Sequence, residues 1–172
     1  MESICLQLLK KSDALDLLRF EVENKAWFEA QIQARESDFF SIEGVLEHIA
    51  ECLLMYKCQT MLPLIVRNRD NKIVARVNLH SVDIHRRRAL LGYRVAQEYS
   101  GAGIASKAAK HIILLAKQKF NITNFVAIVS KHNSASQKVL ERNGFNRTRS
   151  FKNYAKISGN YIDCYEYILD ID

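Results

Sequence analysis

Two glycines, Gly101 and Gly103, stand between a predicted strand and a predicted helix, and this junction constrains the fold more than any other feature. The strand is expected over residues 89–95. The helix is expected over residues 103–120, where apolar residues recur on one helical face. Glycine lets the backbone turn tightly and leaves its N–H groups uncovered. Because these groups lie at the positive end of a helix dipole, the junction favours a polyanion such as a pyrophosphate.

The length and composition predict one domain that spans residues 1–172. A chain of 172 residues that is 48% hydrophobic and 26% charged is typical of a soluble globular domain. Pro63 is the only proline, and no stretch rich in Gly and Ser marks a linker. We therefore expect a single compact unit.

The hydrophobic periodicity predicts an α/β protein with the element order β-α-α-β-β-β-α-β-α-β-β. The first helix is expected to begin at an N-cap, Ser12, and to extend to Trp27 with Leu15, Leu18 and Val22 on its buried face. A second helix is expected to begin after Ser41. Its sheet is predicted to be mixed, mostly antiparallel at its start, with a helical crossover in the middle. The predicted strands cover residues 4–9, 62–67, 73–82, 89–95, 125–129, 151–154 and 161–169.

Several classes of protein are disfavoured by the sequence. No apolar run is long enough to span a bilayer, and the N-terminal residues lack a signal-peptide pattern, so we expect a cytoplasmic protein that is not in the membrane. The four cysteines lack metal-ligand spacing, so we expect free thiols and no metal site.

The net charge of +6 favours anionic partners, although surface solubility explains it equally well. The one tight basic cluster, residues 86–88, is interpreted as a solvated turn, and no direct nucleic-acid partner is required.

The glycine junction by itself leaves alternatives open. A plain loop followed by a helix start would also contain Gly101 and Gly103, because short glycine motifs occur often by chance. A Walker phosphate loop is excluded because the Gly-Lys-Ser/Thr ending is absent. A Rossmann turn is disfavoured because its third glycine would fall at Ser106 and no β-α-β unit with an acidic ribose ligand follows.

A second informative segment follows the glycine junction: Asn133-Ser134-Ala135-Ser136-Gln137-Lys138-Val139-Leu140-Glu141-Arg142-Asn143-Gly144-Phe145. With the turn at residues 100–105 and the order of elements, it resembles the GNAT superfamily of acetyl-CoA-dependent N-acetyltransferases. Residues 76–79 (Arg-Val-Asn-Leu) and 91–95 (Leu-Gly-Tyr-Arg-Val) are similar to its ribosomal-protein alanine N-acetyltransferase branch. The resemblance covers nearly the whole chain.

The resemblance implies a GNAT acyl-CoA N-acyltransferase fold, acetyl-CoA as cofactor, and acetylation of a primary amine. The expected acceptor is a protein N-terminal α-amine, such as that of a ribosomal protein. Two alternatives stay open, a small-molecule amine acetyltransferase and a non-catalytic acyl-CoA sensor on the same fold. The identity of the acceptor and the choice between monomer and homodimer stay open as well.

The resemblance also implies which residues hold the cofactor. The backbone of residues 93–95 would pair with the pantetheine arm as an added strand, and the turn N–H groups would hold the pyrophosphate. The implied cofactor-binding residues are Tyr93, Arg94, Val95, Ser100, Gly101, Ala102, Gly103, Ile104, Ala105 and Asn133. The cations Lys107, Lys110, Lys138 and Arg142 are candidates for the adenosine-side phosphates, with a solvated helix face as the alternative for each.

Two departures from the family pattern bear on the chemistry. Glu98 stands where the family usually has Gln or Arg, and Leu140 stands where many members have a proton-donating tyrosine. Ser136 is therefore the candidate that assists the leaving thiolate, with a helix-capping role as the alternative. Glu98 and Glu51 are the candidate bases, with surface carboxylates as the alternative. A free α-amine with a pKa near 8 makes a strong base dispensable.

Overall fold

The computed structural model describes residues 4–171, which form a seven-stranded sheet with helices on both faces. The strands are β1 (Cys5–Leu8), β2 (Leu62–Arg67), β3 (Ile73–Asp83), β4 (Arg88–Val95), β5 (Asn124–Ser130), β6 (Asn146–Ile157) and β7 (Asn160–Asp170). The helices are α1 (Ala14–Glu23), α2 (Lys25–Glu29), α3 (Ile42–Lys57), α4 (Ile104–Phe120) and α5 (Ser134–Arg142).

The strand order in the sheet is β1-β2-β3-β4-β5-β7-β6. Neighbouring strands are antiparallel except for β4 and β5, which are parallel and are connected by α4. This arrangement confirms the predicted mixed sheet and its central helical crossover. No helix in the described part of the chain has the length and apolar character needed to cross a membrane.

The two faces of the sheet carry separate hydrophobic cores. On one face α4 buries Ala108, Ala109, Ile112 and Ala116 against strand residues such as Val77. On the other face α1 and α3 bury Leu17 and Ile49 against Ile65. This division follows from the period of two along a strand, which sends neighbouring side chains to opposite faces.

The prediction for the first helix was wrong in two respects. A 3₁₀ turn over Lys11–Asp13 contains Ser12, so α1 begins only at Ala14, and a break at Asn24 (φ −108°) separates it from α2. Leu15 and Val22, predicted to be buried, are 68% and 51% exposed. The buried face of α1 contains Leu17, Phe20 and Glu21 and is therefore displaced by one residue from the predicted face. The prediction missed it because hydrophobic periodicity places a charged residue such as Glu21 on the solvent side.

The C-terminal hairpin turns at the predicted residues, Ser158 (φ 49°) and Gly159 (φ 81°), but its strands are longer than predicted. The five additional residues at the start of β6, Asn146–Ser150, are all polar, as suits an edge strand whose side chains are mostly exposed. A strand without an apolar face has no period for sequence analysis to detect.

Candidate active site

The site lies where β4 and β5 diverge. Their parallel ladder extends only from Arg88↔Asn124 to Leu90↔Val126, although β4 continues to Val95 and β5 continues to Ser130. Beyond Leu90 the strands separate around a cleft of about 460 Å³. The cleft is lined by both strands, the glycine turn, the starts of α4 and α5, and residues 27–32.

Backbone groups of β4 face this cleft without a paired strand. The N–H of Ala96 donates to the carbonyl of Val74 on β3 (2.9 Å). Because backbone groups of an antiparallel strand alternate in direction, those of Arg94 also face β3, whereas those of Tyr93 and Val95 face β5. At these two positions β5 has already moved away. An extended ligand with amide groups therefore has a strand edge available to it.

The N-terminal helices close one side of the cleft. The indole Nε1 of Trp27, in α2, donates a hydrogen bond to the carbonyl oxygen of Val95 (3.1 Å). Just after α2, the side-chain oxygen of Gln31 accepts a hydrogen bond from Asn133 Nδ2 at the start of α5 (3.2 Å). These two contacts hold the segment after α1 over the ends of β4 and β5.

The glycine turn leaves backbone donors free at the start of α4. Gly101 and Gly103 have φ values of 79° and 77°, in the left-handed region that favours glycine. A Cβ added at either position would meet no atom within 4 Å, so the backbone conformation rather than space requires glycine. Helix α4 has no side-chain cap and no acidic residue in its first turn. Its first N–H groups can therefore bind an anion.

Helix α5 brings a serine hydroxyl to a tyrosine of β4. The side chain of Asn133 caps the helix by accepting from the N–H of Ser136 (3.0 Å). The hydroxyl oxygen of Ser136 lies 2.8 Å from the phenolic oxygen of Tyr93. Burial raises the pKa of Tyr93 to about 12, although the hydrogen bond from Ser136 lowers it. Tyr93 is therefore protonated at neutral pH.

Beside the cleft lies a buried cluster of charged side chains, which we call the Glu21 cluster: Glu21, Arg35, His48, Arg76 and Arg94. Burial alone would raise the pKa of Glu21, but Arg94, Arg35 and Arg76 lower it to about 2. Burial, Arg76 and Arg35 lower the pKa of His48 to about 3. His48 is therefore neutral, and its Nε2 lies 3.0 Å from Arg76.

Most of the residues predicted to form the site lie together around the cleft. They are Tyr93, Arg94, Val95, Ser100, Gly101, Gly103, Ile104, Ala105, Asn133 and Ser136. Of the cations proposed for phosphates, Lys138 and Arg142 also line the cleft, whereas Lys107 and Lys110 do not.

Besides these two lysines, three predicted residues lie outside the cleft lining. Ala102 is exposed within the glycine turn. The side chain of Glu98 is 71% exposed and lies 3.8 Å from Lys72. Glu51 is exposed on α3. The geometry thus gives neither carboxylate a position beside the cleft.

Sequence reasoning missed three features of this region: the hydroxyl of Tyr93, the indole bond of Trp27, and the Glu21 cluster. Tyr93 and Ser136 are 43 residues apart, and Trp27 and Val95 are 68 apart. No local pattern connects such pairs. The available signals were Arg76 and Arg94, each of which interrupts an apolar strand segment.

Comparison with known proteins identifies the family. The model of the acetyltransferase (GNAT) domain matches residues 3–146. The probable N-acetyltransferase YjcK of Bacillus subtilis is 25% identical over 164 residues, 94% of this chain and 91% of the relative.

Two solved structures share the fold. The ribosomal-protein-S5-alanine acetyltransferase of Vibrio fischeri has a TM-score of 0.95 at 24% identity and covers 100% of this chain and 95% of its own. The ribosomal L7/L12 α-N-protein acetyltransferase RimL in complex with coenzyme A has a TM-score of 0.92 at 21% identity, with 99% and 95% covered. The diverging strands and the glycine turn thus belong to a member of the GNAT family, and the chain is an acetyl-CoA-dependent N-acetyltransferase.

Proposed function

We propose that this enzyme acetylates the N-terminal α-amine of a protein, with a ribosomal protein as the acceptor. The observation that carries the proposal is the divergence of β4 and β5, which leaves the backbone of Tyr93 and Val95 without a paired strand. The choice of acceptor is supported by the likeness in fold to enzymes that modify ribosomal proteins S5 and L7/L12. We also propose that residues 1–172 form one domain that acts in the cytoplasm.

The residues around the cleft fit acetyl-CoA in two ways. The free edge of β4 at residues 93–95 matches an extended arm that contains amide groups. The uncapped start of α4, with the turn at residues 100–105, offers N–H groups for a diphosphate, and Lys138 and Arg142 add positive charge. Asn133 contributes from the start of α5. We therefore assign these residues to cofactor binding.

The chain's own groups act on the transfer in three ways. Acetyl-CoA supplies a thioester whose carbonyl carbon is attacked by the amine. The N–H of Val95 faces the cleft and can donate to the oxygen on which negative charge develops. The hydroxyl pair of Tyr93 and Ser136 can donate a proton to the departing sulfur. The remaining contribution is the positioning of the two reactants.

The acceptor needs little help to lose its proton. A free α-amine has a pKa of about 8, so a useful fraction is neutral at physiological pH. Because Glu98 is exposed and lies beside Lys72, we do not assign it as the base. Water that enters the open cleft can remove the proton instead.

The proposal is tested by incubating the purified full chain with acetyl-CoA and three panels of amines. The panels are N-terminal peptides of ribosomal proteins, the same peptides with blocked N-termini and an internal lysine, and small amines including free amino acids. Thiol release measures turnover, and mass spectrometry locates the acetyl group. Acetylation of the free N-terminus is expected. Turnover of small amines alone would overturn the acceptor assignment, and binding of acetyl-CoA without turnover would favour the sensor.

A further inference from the structure

Three arginines in the Glu21 cluster share one carboxylate. Arg35 donates to both oxygens of Glu21 (3.2 and 3.0 Å), Arg76 donates to Oε1 (3.2 Å), and Arg94 donates to Oε2 (2.9 Å). Among residues 4–171 these arginines form ion pairs with no other carboxylate. Three guanidinium groups and one carboxylate beside a neutral His48 leave a formal charge of +2.

An excess of positive charge is costly in a buried position. Arg76 is 2% exposed, and its Nε has no hydrogen-bond partner among the described residues. Arg76 and Arg94 lie directly opposite each other on β3 and β4, where like charges repel. The side chains of Arg35 and Arg94 are 20% and 21% exposed, so part of each guanidinium is accessible. A second anion next to these two groups would reduce the formal charge of the cluster from +2 to +1.

The accessible part of the cluster adjoins the active site. Arg94 immediately precedes Val95 and lines the cleft. It also lines a smaller pocket with Arg35, Glu21 and Phe28, and Phe28 borders both spaces. Lys25 and Glu29 border the smaller pocket too, but they lie 4.0 Å apart and balance each other. An acceptor whose amine stands near Val95 therefore has its next groups close to Arg94.

We propose that Arg35 and Arg94 form a binding site for a carboxylate that the acceptor carries near its reactive amine. This inference rests on the proposed function and names the acceptor class more narrowly, as a protein with Asp or Glu at the second or third position. An extended chain advances about 3.3 Å per residue, so an acidic side chain at these positions is within the reach of an arginine. The planar guanidinium groups suit a carboxylate because they present paired donors.

The same chemistry is present in the α-carboxylate of a free amino acid, so the test has an arm for each source. The peptide arm uses pairs that differ only in Asp against Asn, or Glu against Gln, at positions two and three. The small-molecule arm compares free amino acids with their amides. Variants Arg35→Gln and Arg35→Lys are measured beside Arg19→Gln, a matched control that removes an exposed arginine of α1 outside the cluster.

The acidic peptides are expected to have kcat/KM values about tenfold above those of their amide partners, through a lower KM, because a hydrogen bond between charged groups is stronger than one to a neutral amide. In Arg35→Gln this ratio should fall several-fold, in Arg35→Lys less, and in Arg19→Gln not at all. Equal values for acidic and amide peptides in the unaltered enzyme would overturn the inference while leaving the proposed function intact. Because this comparison uses only the unaltered enzyme, it does not depend on whether the arginine variants fold.

The remaining outcomes separate the inference from the proposed function. If free amino acids are acetylated but their amides and the peptides are not, the result supports the carboxylate site and contradicts the proposal of a protein acceptor. If only small amines are acetylated, and those without a carboxylate react as well as free amino acids, both the carboxylate site and the protein acceptor are contradicted. If no amine is acetylated, the carboxylate site is tested by the affinity of the Asp and Asn peptides for the CoA-bound enzyme. Tighter binding of the Asp peptide supports the site, and equal binding contradicts it. That affinity is measured through the fluorescence of Trp27, the only tryptophan, which lines the cleft.

Discussion

The phenolic oxygen of Tyr93 on β4 lies 2.8 Å from the hydroxyl oxygen of Ser136 on α5, across the cleft between the diverging strands. The family's usual tyrosine position is occupied here by Leu140, which cannot donate a proton. A tyrosine from the opposite wall therefore brings a phenol to the cleft by a different route. Its pKa of about 12 keeps it protonated over the working range of the enzyme.

The variant Tyr93→Phe should lower kcat by about 10²-fold, the lower part of the range for a lost general acid or base, because the departing sulfur loses its donor. Affinity for acetyl-CoA should change little because the backbone of residue 93 is retained. Steady-state kinetics and calorimetry measure the two quantities. The matched control is Tyr167→Phe, whose hydroxyl binds Glu141 outside the cleft. Equal kinetics for both variants would remove Tyr93 from the chemistry.

Gly103→Glu should abolish measurable binding of CoA, because a carboxylate would stand beside the donors assigned to the diphosphate. Gly103→Ala separates charge from strain. It has the same positive φ to adopt, at about 1 kcal/mol, and its Cβ meets no atom within 4 Å. Calorimetric titration should therefore show weakened binding for Ala and none for Glu. Unchanged affinity in a folded Glu variant would contradict the assignment.

Trp27→Phe should reduce kcat/KM by about fivefold. An aromatic ring is kept in place of the indole, but the hydrogen bond to the Val95 carbonyl is lost, and one such bond contributes about 1 kcal/mol. The effect should appear with every acceptor because the bond orients the strand end rather than the amine. Rates on two unrelated peptides check this, and a loss confined to one peptide would indicate acceptor contact instead.

Glu21→Gln should lower the free energy of unfolding by about 3–5 kcal/mol, since it leaves buried arginines without their carboxylate. The control is Glu23→Gln on the same helix. That side chain is 47% exposed and lies 3.6 Å from Lys72, so its loss should cost about 0.5 kcal/mol or less. Urea unfolding of both variants measures the difference, and similar values would mean that the cluster does not stabilise the fold.

Protonation of His48 should lower the free energy of unfolding as the pH falls below neutrality. Its pKa is about 3 in the folded chain, well below the ordinary value of 6.5, so the unfolded chain binds the proton more tightly between these values. Stability is therefore lost as pH decreases through this window, by up to about 1.4 kcal/mol per pH unit. Burial lowers the pKa of His80 too, which adds a smaller loss of the same sign.

Urea unfolding at pH 7 and pH 5 measures this dependence. The difference should shrink in His48→Gln, whose side-chain oxygen can still accept from Arg76. An unchanged difference in that variant would assign the dependence to other groups.

The parts of the fold that sequence analysis predicted well depend on local signals. Ser41 and Gly144 mark helix ends through contacts within a few residues: the side chain of Ser41 accepts from Gly44, and the N–H of Phe145 donates to Leu140. The glycine turn and the order of strands along the chain were predicted correctly for the same reason, since each depends on short patterns. The single-domain organisation of residues 1–172 stays a prediction.

The parts that sequence analysis missed depend on partners far apart in the chain. Glu21 is buried because it meets Arg76 and Arg94, which follow 55 and 73 residues later. Periodicity assigns a glutamate to the solvent side, so the predicted face of α1 was displaced by one position. Glu98 was proposed as a base from its place in the motif alone, and no pattern indicates that its side chain turns outward to Lys72.

The short ladder between Leu90 and Val126 also has a mechanical consequence. Strands β1–β4 and strands β5–β7 meet in the sheet only along this brief seam, and the cleft continues where the seam stops. Acetyl-CoA bound along β4, as proposed, would occupy the place of the missing ladder and would connect the two halves of the sheet. The stability of the sheet would then depend on whether acetyl-CoA is bound. The amide hydrogens of β4 and β5 should therefore exchange faster in the cofactor-free enzyme than in the acetyl-CoA complex.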